Sequence, residues 1–269
     1  MAFAAARNLL KCWLLVVGLA VVFAGLGWVI GGERGAMLFA LCSLLAALTA
    51  YGFGDRALLG MLGGRPYALA EDPLLRSTLD RLAAQAGVMP PKLFLIDDPF
   101  PRAFAAGRGP RSSSVAISTG LLGAVPPREL EALLAHELGH VRSRDVLTQT
   151  FAVLLAATLL ELARIGGFLS GALLYVLAPP ASAFTHLLLS SKREFAADAF
   201  AARLCGWEDV ADVLLRLEKA GDLARFSASP AVEPLFAVSP FAAEGVARMF
   251  VTHPPTEKRV ERLRTGGAG

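Results

Sequence analysis

The chain has 269 residues, 55% hydrophobic and only 18% charged, with a mean hydropathy of +0.54 and a formal net charge of +3. Soluble domains carry about 25% charged residues, so this composition excludes a disordered chain, a nucleic-acid-binding tail and an ordinary soluble enzyme. It points to membrane spans beside a polar portion, and the mild net charge gives no reason to expect a nucleic-acid partner. Cys12, Cys42 and Cys205 are scattered without CxxC spacing. They make neither a disulfide framework nor a zinc knuckle, and read as packing residues.

In chain order, the first feature is an uncharged run from Cys12 to Ile30. As a helix it would be roughly 29 Å long, enough for a bilayer core. A cleaved signal peptide has a shorter apolar region and a small-residue cleavage site. Here a second uncharged run, Ala36 to Gly54, follows after only Gly31-Gly32-Glu33-Arg34-Gly35, so residues 1–54 read as a membrane hairpin. Arg7 and Lys11 precede it, Arg56 and Arg65 follow it, and Glu33 and Arg34 cancel in its turn. The positive-inside rule then places the N-terminus and everything after Gly54 in the cytoplasm.

Residues 55–145 are polar enough to form the first part of a cytoplasmic domain. Asp72-Pro73 marks a helix start, and that helix runs to about Gln85 with Leu74, Leu75, Leu79, Leu82 and Ala83 as its apolar stripe. Lys92–Ile96 and Ser113–Thr119 read as strands, with Ala103–Gly107 as a third member of a small sheet. Pro126-Pro127 opens another helix, with Glu129 and Glu131 in its first turns.

Residues 146–191 read as a second hairpin, with spans at about Val146–Ala163 and Phe168–Ser190 and a turn at Gly166-Gly167. A buried core hairpin is the alternative, since the first arm is short. Pro179-Pro180 should interrupt the second arm, and Glu161 and Arg164, three apart, can pair at its edge. Residues 192–269 supply the second part of the cytoplasmic domain and end in a loose tail. The expected fold is therefore mainly α: four transmembrane helices plus an α+β cytoplasmic domain with a small β-sheet.

The chemistry starts at His136-Glu137-Leu138-Gly139-His140. Histidines four apart share one helical face, so both imidazoles can reach one metal ion, and the intervening Glu137 can take a proton from a metal-bound water. A catalytic zinc needs a third protein ligand and an open position. Glu194 and Asp198, four apart on one helix, are candidates: one to ligate, the other to hold a histidine N–H. Spacing alone leaves their roles open, and a solvated acidic pair is the alternative. His186 lies about 12 Å along the helix from Glu194 and reads as a buried polar or interfacial residue.

Taken in order, several segments resemble the HtpX-type membrane metalloproteases, in the gluzincin group that also holds the CAAX prenyl proteases. They are the N-terminal hairpin, Ala103-Phe104-Ala105-Ala106-Gly107-Arg108, Ser118-Thr119-Gly120-Leu121-Leu122 and His136–His140 with Arg144-Asp145. The second hairpin, Arg193-Glu194-Phe195-Ala196-Ala197-Asp198 and Thr252-His253-Pro254-Pro255-Thr256 with Arg259 complete the set. The resemblance implies that the α+β cytoplasmic domain is a zincin-like catalytic domain, its first part residues 55–145 and its second part residues 192–269, with one Zn2+ per chain held by His136, His140 and Glu194 and Asp198 as a supporting residue. It also implies that Ala103, Phe104 and Ala105 lie on a sheet edge that receives substrate as an added strand. The family's usual Asn before Ala-Phe-Ala is replaced by Arg102. His253 or Arg259 would stabilise the oxyanion; otherwise His253 packs at the start of the last helix and Arg259 pairs with a carboxylate.

The function expected from these residues is a zinc metalloendopeptidase, with Glu137 as its base, that cleaves misfolded membrane proteins at the cytoplasmic face of a bacterial inner membrane. A narrow-specificity processing protease and a catalytically silent membrane scaffold are the alternatives. The sequence leaves the oligomeric state open.

Overall fold

A computed structural model describes residues 2–68, 72–165, 178–179, 182–183, 185–186, 189–221 and 253–266. The helices are α1 (Ala2–Met61), α2 (Pro73–Ala86), α3 (Thr119–Ala124), α4 (Pro127–Ser143), α5 (Asp145–Ile165), α6 (Ser191–Cys205), α7 (Trp207–Gly221) and α8 (Thr256–Arg264). The strands are β1 (Arg65–Pro66), β2 (Lys92–Ile96), β3 (Ala103–Gly109) and β4 (Ser112–Ser118). The chain is thus mainly helical around a small mixed sheet.

α1 is broken at Gly31 and Gly32, whose φ/ψ angles are −141°/19° and 60°/−144°. The second pair belongs to a region that only glycine occupies readily, and it folds α1 back on itself as a hairpin. Gly27 and Gly35 meet across the neck, where a Cβ on Gly27 would collide with the Gly35 carbonyl oxygen. The second arm does not stop at Gly54. Asp55 and Arg56 end the apolar run but not the helix, which continues to Met61.

Trp28, Val29 and Ile30 at the hairpin tip are 61%, 84% and 73% exposed. Apolar exposure on this scale calls for a covering phase. Among the described residues one helix, Gly27–Met61, is long and apolar enough to cross a membrane, whereas Cys12–Gly25 and Asp145–Ala157 are shorter apolar stretches. Four spans are therefore not shown. Most of the expected fourth span, and the Gly166-Gly167 turn before it, lie outside the described residues.

The sheet order is β1-β2-β4-β3, with β2 and β4 parallel and the outer pairs antiparallel. Alternation across the pleat sends successive residues to two cores. Ala103, Ala105, Val115 and Ile117 face the main core with Leu79, Leu82, Leu133, Leu138 and Leu214. Phe104, Ala106 and Ala116 face the other side, where they meet Leu58 and Leu59 of α1 and Val153 of α5. The ends of the apolar helices are thus packed directly on the back of the catalytic sheet.

Helix α2 begins where the sequence predicts: Asp72 caps it by accepting from the Leu75 amide, and Pro73 occupies the first turn. Leu74, however, is 69% exposed and leaves the expected stripe. It is one residue from the buried Leu75, about 100° around the helix, and Ala86 completes the buried face instead.

Candidate metal centre

Both histidines project from α4, and Glu194 comes from the first turn of α6. The two helices can approach because Gly139 faces α6. A Cβ at Gly139 would lie 3.2 Å from Ala197 Cα and 3.3 Å from a ring carbon of Phe200. Gly139→Val is expected to cost about 1–3 kcal/mol by overpacking and to weaken metal binding by separating α4 from α6. Thermal unfolding and metal titration of the variant check this; native values in both would contradict it.

His136 Nε2 and His140 Nε2 are 3.2 Å apart, and Glu194 Oε2 lies 3.6 Å and 3.7 Å from them. Vertices of a tetrahedral site with bonds of 2.0–2.1 Å are roughly 3.3 Å apart, so the spacing suits one small ion. All three side chains are buried, and their donor atoms lie within 4.8 Å of one another. Both Glu194 oxygens are buried and neither receives a well-aligned hydrogen bond, although Arg193 Nε lies 3.0 Å from Oε1. A carboxylate left in that state inside a protein is costly, and a cation between it and two imidazole nitrogens removes the cost. His136, His140 and Glu194 could therefore hold a metal. His186, which is exposed, is not in this cluster.

Each histidine is backed by an aspartate. His136 Nδ1 lies 3.0 Å from Asp198 Oδ1, which selects the tautomer that leaves Nε2 turned to the other ligands. Asp198 is itself gripped by Arg259, whose Nε and Nη2 donate to its two oxygens at 2.8 Å and 2.6 Å. His140 Nδ1 lies 3.5 Å from Asp145 Oδ2, which accepts from Ser143 Oγ at 2.6 Å. Asp145 can stand so close to the helix it serves because Arg144 adopts a left-handed conformation, φ 61°, and turns the chain at once into α5. In the sequence Asp145 stands out only through its place in the resemblance. The signal was present in its separation of five residues from His140 across a helix end.

The electrostatics follow from burial and charge. Burial would raise the Asp198 carboxyl, but the Arg259 guanidinium and its hydrogen bonds outweigh it and bring the pKa to about 2. Burial likewise opposes ionisation of Glu194, yet His253, His140 and Arg193 hold it well below the usual carboxylate range. Burial alone would lower His140, but Glu194 and Asp145 push it up to about 10 in the metal-free site. Glu137 differs from its neighbours: burial dominates and raises its pKa despite the two histidines.

The Glu137 carboxylate accepts a hydrogen bond from the Ala105 backbone N–H, which joins it to β3. Among the described residues β3 is an edge strand, paired with β4 alone. The Phe104 side chain is 1% exposed and packs on Leu58 and Leu59, so any contact it offers at the edge is through its backbone. Arg102 is turned away from that edge: its Nε donates to Asp98 at 2.8 Å, and its backbone N–H donates to Ser118 Oγ. His253 Nε2 lies 3.5 Å from Glu194 Oε2, so the segment before α8 reaches the cluster. Arg259, held by Asp198, is 1% exposed.

Residues 69–266 match Peptidase family M48. Over 95% of its length the chain is 38% identical to a protein called Protease HtpX homolog from Pelotomaculum thermopropionicum, covering 98% of that protein. A protein of the same name from Acidiphilium cryptum is 37% identical, over 96% of each chain. The crystal structure of S. mikatae Ste24p shares the fold at a TM-score of 0.51 and 17% identity, with 98% of this chain and 66% of that one covered.

Proposed function

The chain belongs to peptidase family M48 and is a metalloprotease, and from that premise we propose a zinc-dependent endopeptidase of the bacterial inner membrane that cleaves misfolded or damaged membrane proteins at the cytoplasmic face. One observation carries the membrane part of this reading. The metal cluster lies where the chain enters and leaves residues 146–191: Asp145, behind His140, opens α5, and Glu194 is in the first turn of α6. The positive charges at Arg56 and Arg65 support the cytoplasmic side.

His136, His140 and Glu194 would hold the zinc, which when bound would supply Lewis acidity to activate water and polarise the scissile carbonyl. Glu137 would take a proton from the attacking water and deliver it to the leaving amine. Its burial raises its pKa, which favours acceptance of that proton. The Ala105 N–H keeps its carboxylate at the strand edge, and the backbone of Ala103, Phe104 and Ala105 offers substrate an added strand. His253, 3.5 Å from Glu194, would stabilise the oxyanion. Arg259 acts through Asp198 and His136 to hold the site in shape.

The test is cleavage in proteoliposomes. An unfolded membrane protein with cytoplasm-facing segments is expected to be cut in those segments, and faster than casein at equal concentration. Cleavage of soluble chains alone would overturn the membrane-substrate reading. Cleavage of one defined partner and nothing else would establish a narrow processing protease.

A further inference from the structure

The buried groups around Glu194 include one cation, Arg193, that the chemistry above leaves without a role. Its Nε forms an ion pair with Glu194 Oε1 at 3.0 Å, and its side chain is 8% exposed. Its Nη1 donates to Gln149 Oε1 at 3.2 Å, and Gln149 is a 3% exposed residue of α5. The guanidinium charge also acts on Asp145, the partner of His140.

Glu194 therefore has two distinguishable oxygens. Oε1 is drawn to Arg193, while Oε2 faces His136, His140 and His253. A carboxylate on a freely rotating side chain presents either oxygen. One pinned by a planar guanidinium, itself fixed by the hydrogen bond it donates to another helix, presents one.

We propose that Arg193 and Gln149 are positioning residues that fix the Glu194 carboxylate so that Oε2 faces the two histidines, tying the geometry of the metal site to the packing of α5. The same α5 meets α1 through a close contact: a Cβ on Gly54 would lie 3.1 Å from side-chain carbons of Leu154 and Thr150. A change in how α1 and α5 pack thus reaches the metal site through Gln149 and Arg193. This inference rests on the reading of Glu194 as a metal ligand.

The experiment uses the full chain in detergent. It measures zinc affinity by chelator competition and the visible ligand-field spectrum of the cobalt-loaded protein. Arg193→Lys, which keeps the charge but loses the fork, and Gln149→Met, which keeps the volume but loses the acceptor, are each expected to weaken zinc binding by about tenfold. Both should also alter the cobalt spectrum, while thermal unfolding of the metal-free protein stays near native. Gln149→Glu, which retains an acceptor, is expected to recover most of the loss. Native zinc affinity and a native cobalt spectrum in Arg193→Lys would overturn the proposal, and that variant decides the matter if Gln149→Met does not fold. Glu194→Gln separates the two readings. If it retains zinc, the ligand assignment fails; if it loses zinc while Arg193→Lys and Gln149→Met do not, only the positioning role fails.

Discussion

Glu137→Gln is expected to lower peptide hydrolysis by about 10³-fold, within the range that a positioned acid–base group commands, while the protein keeps its metal. Glu137 is not one of the three clustered donors. The amide oxygen of glutamine can still accept from the Ala105 N–H, so the link to β3 survives. What is lost is the ability to take a proton from water and return it to the leaving amine. Hydrolysis of a fluorogenic peptide, read beside metal content, checks this. A variant that holds metal and retains more than about a tenth of native activity would show that another group serves as the base. The same result separates an enzyme from a silent scaffold, since a scaffold needs the donors but has no use for the base.

Arg259→Leu is expected to be the most destabilising single change near the site, by about 3–5 kcal/mol. Arg259 is 1% exposed and makes two charge-assisted hydrogen bonds to a carboxylate that is itself 2% exposed. Removing it strands Asp198 in the interior with only His136 as a partner. Metal affinity should fall as well, because the aspartate that orients His136 would no longer be oriented itself. Chemical unfolding of the metal-free variants measures the effect. The double variant Arg259→Leu/Asp198→Leu should recover part of the lost stability, since it leaves no unpaired charge. A loss below about 1 kcal/mol for Arg259→Leu would place the pair among the weak ion pairs typical of exposed surfaces.

The parts of the site that could be read in the sequence are those whose partners lie within one helix. His136 and His140 share a face because a helix repeats every 3.6 residues, and the same period brings Glu194 and Asp198 together. The roles of those two acids are not local. Glu194 faces both histidines because α4 and α6 cross at Gly139, and Asp198 lies behind His136 one turn further along. Asp145, Gln149 and Arg193 leave no local pattern, because their meaning depends on where α5 starts relative to α6, 44 residues away in the case of Gln149 and Arg193.

The fold divides in the same way. β2 is found at its predicted residues, and the Gly31-Gly32 break falls in the predicted turn. β1, two residues long with Pro66 at its end, is too short to show alternation. Helix α7, absent from the sequence reading, did carry a signal in its buried Val210, Val213, Leu214 and Leu217, which repeat at helical spacing. α3 is a six-residue helix capped by Ser118, at a point where the alternation of β4 has only just ended. The far end of α1 was misjudged because charge marks the edge of an apolar run, whereas the helix itself runs on until Leu58 and Leu59 have reached the sheet.

The central claim is that His136 and His140 of α4 and Glu194 of α6 form one metal site. It is tested most directly by the zinc content of the purified full-length protein and of Glu194→Ala after dialysis against a moderate chelator. The native protein is predicted to retain close to one zinc per chain, and the variant, left with two imidazoles, to retain almost none. A Glu194→Ala protein that keeps a full equivalent of zinc through the same dialysis would contradict the account.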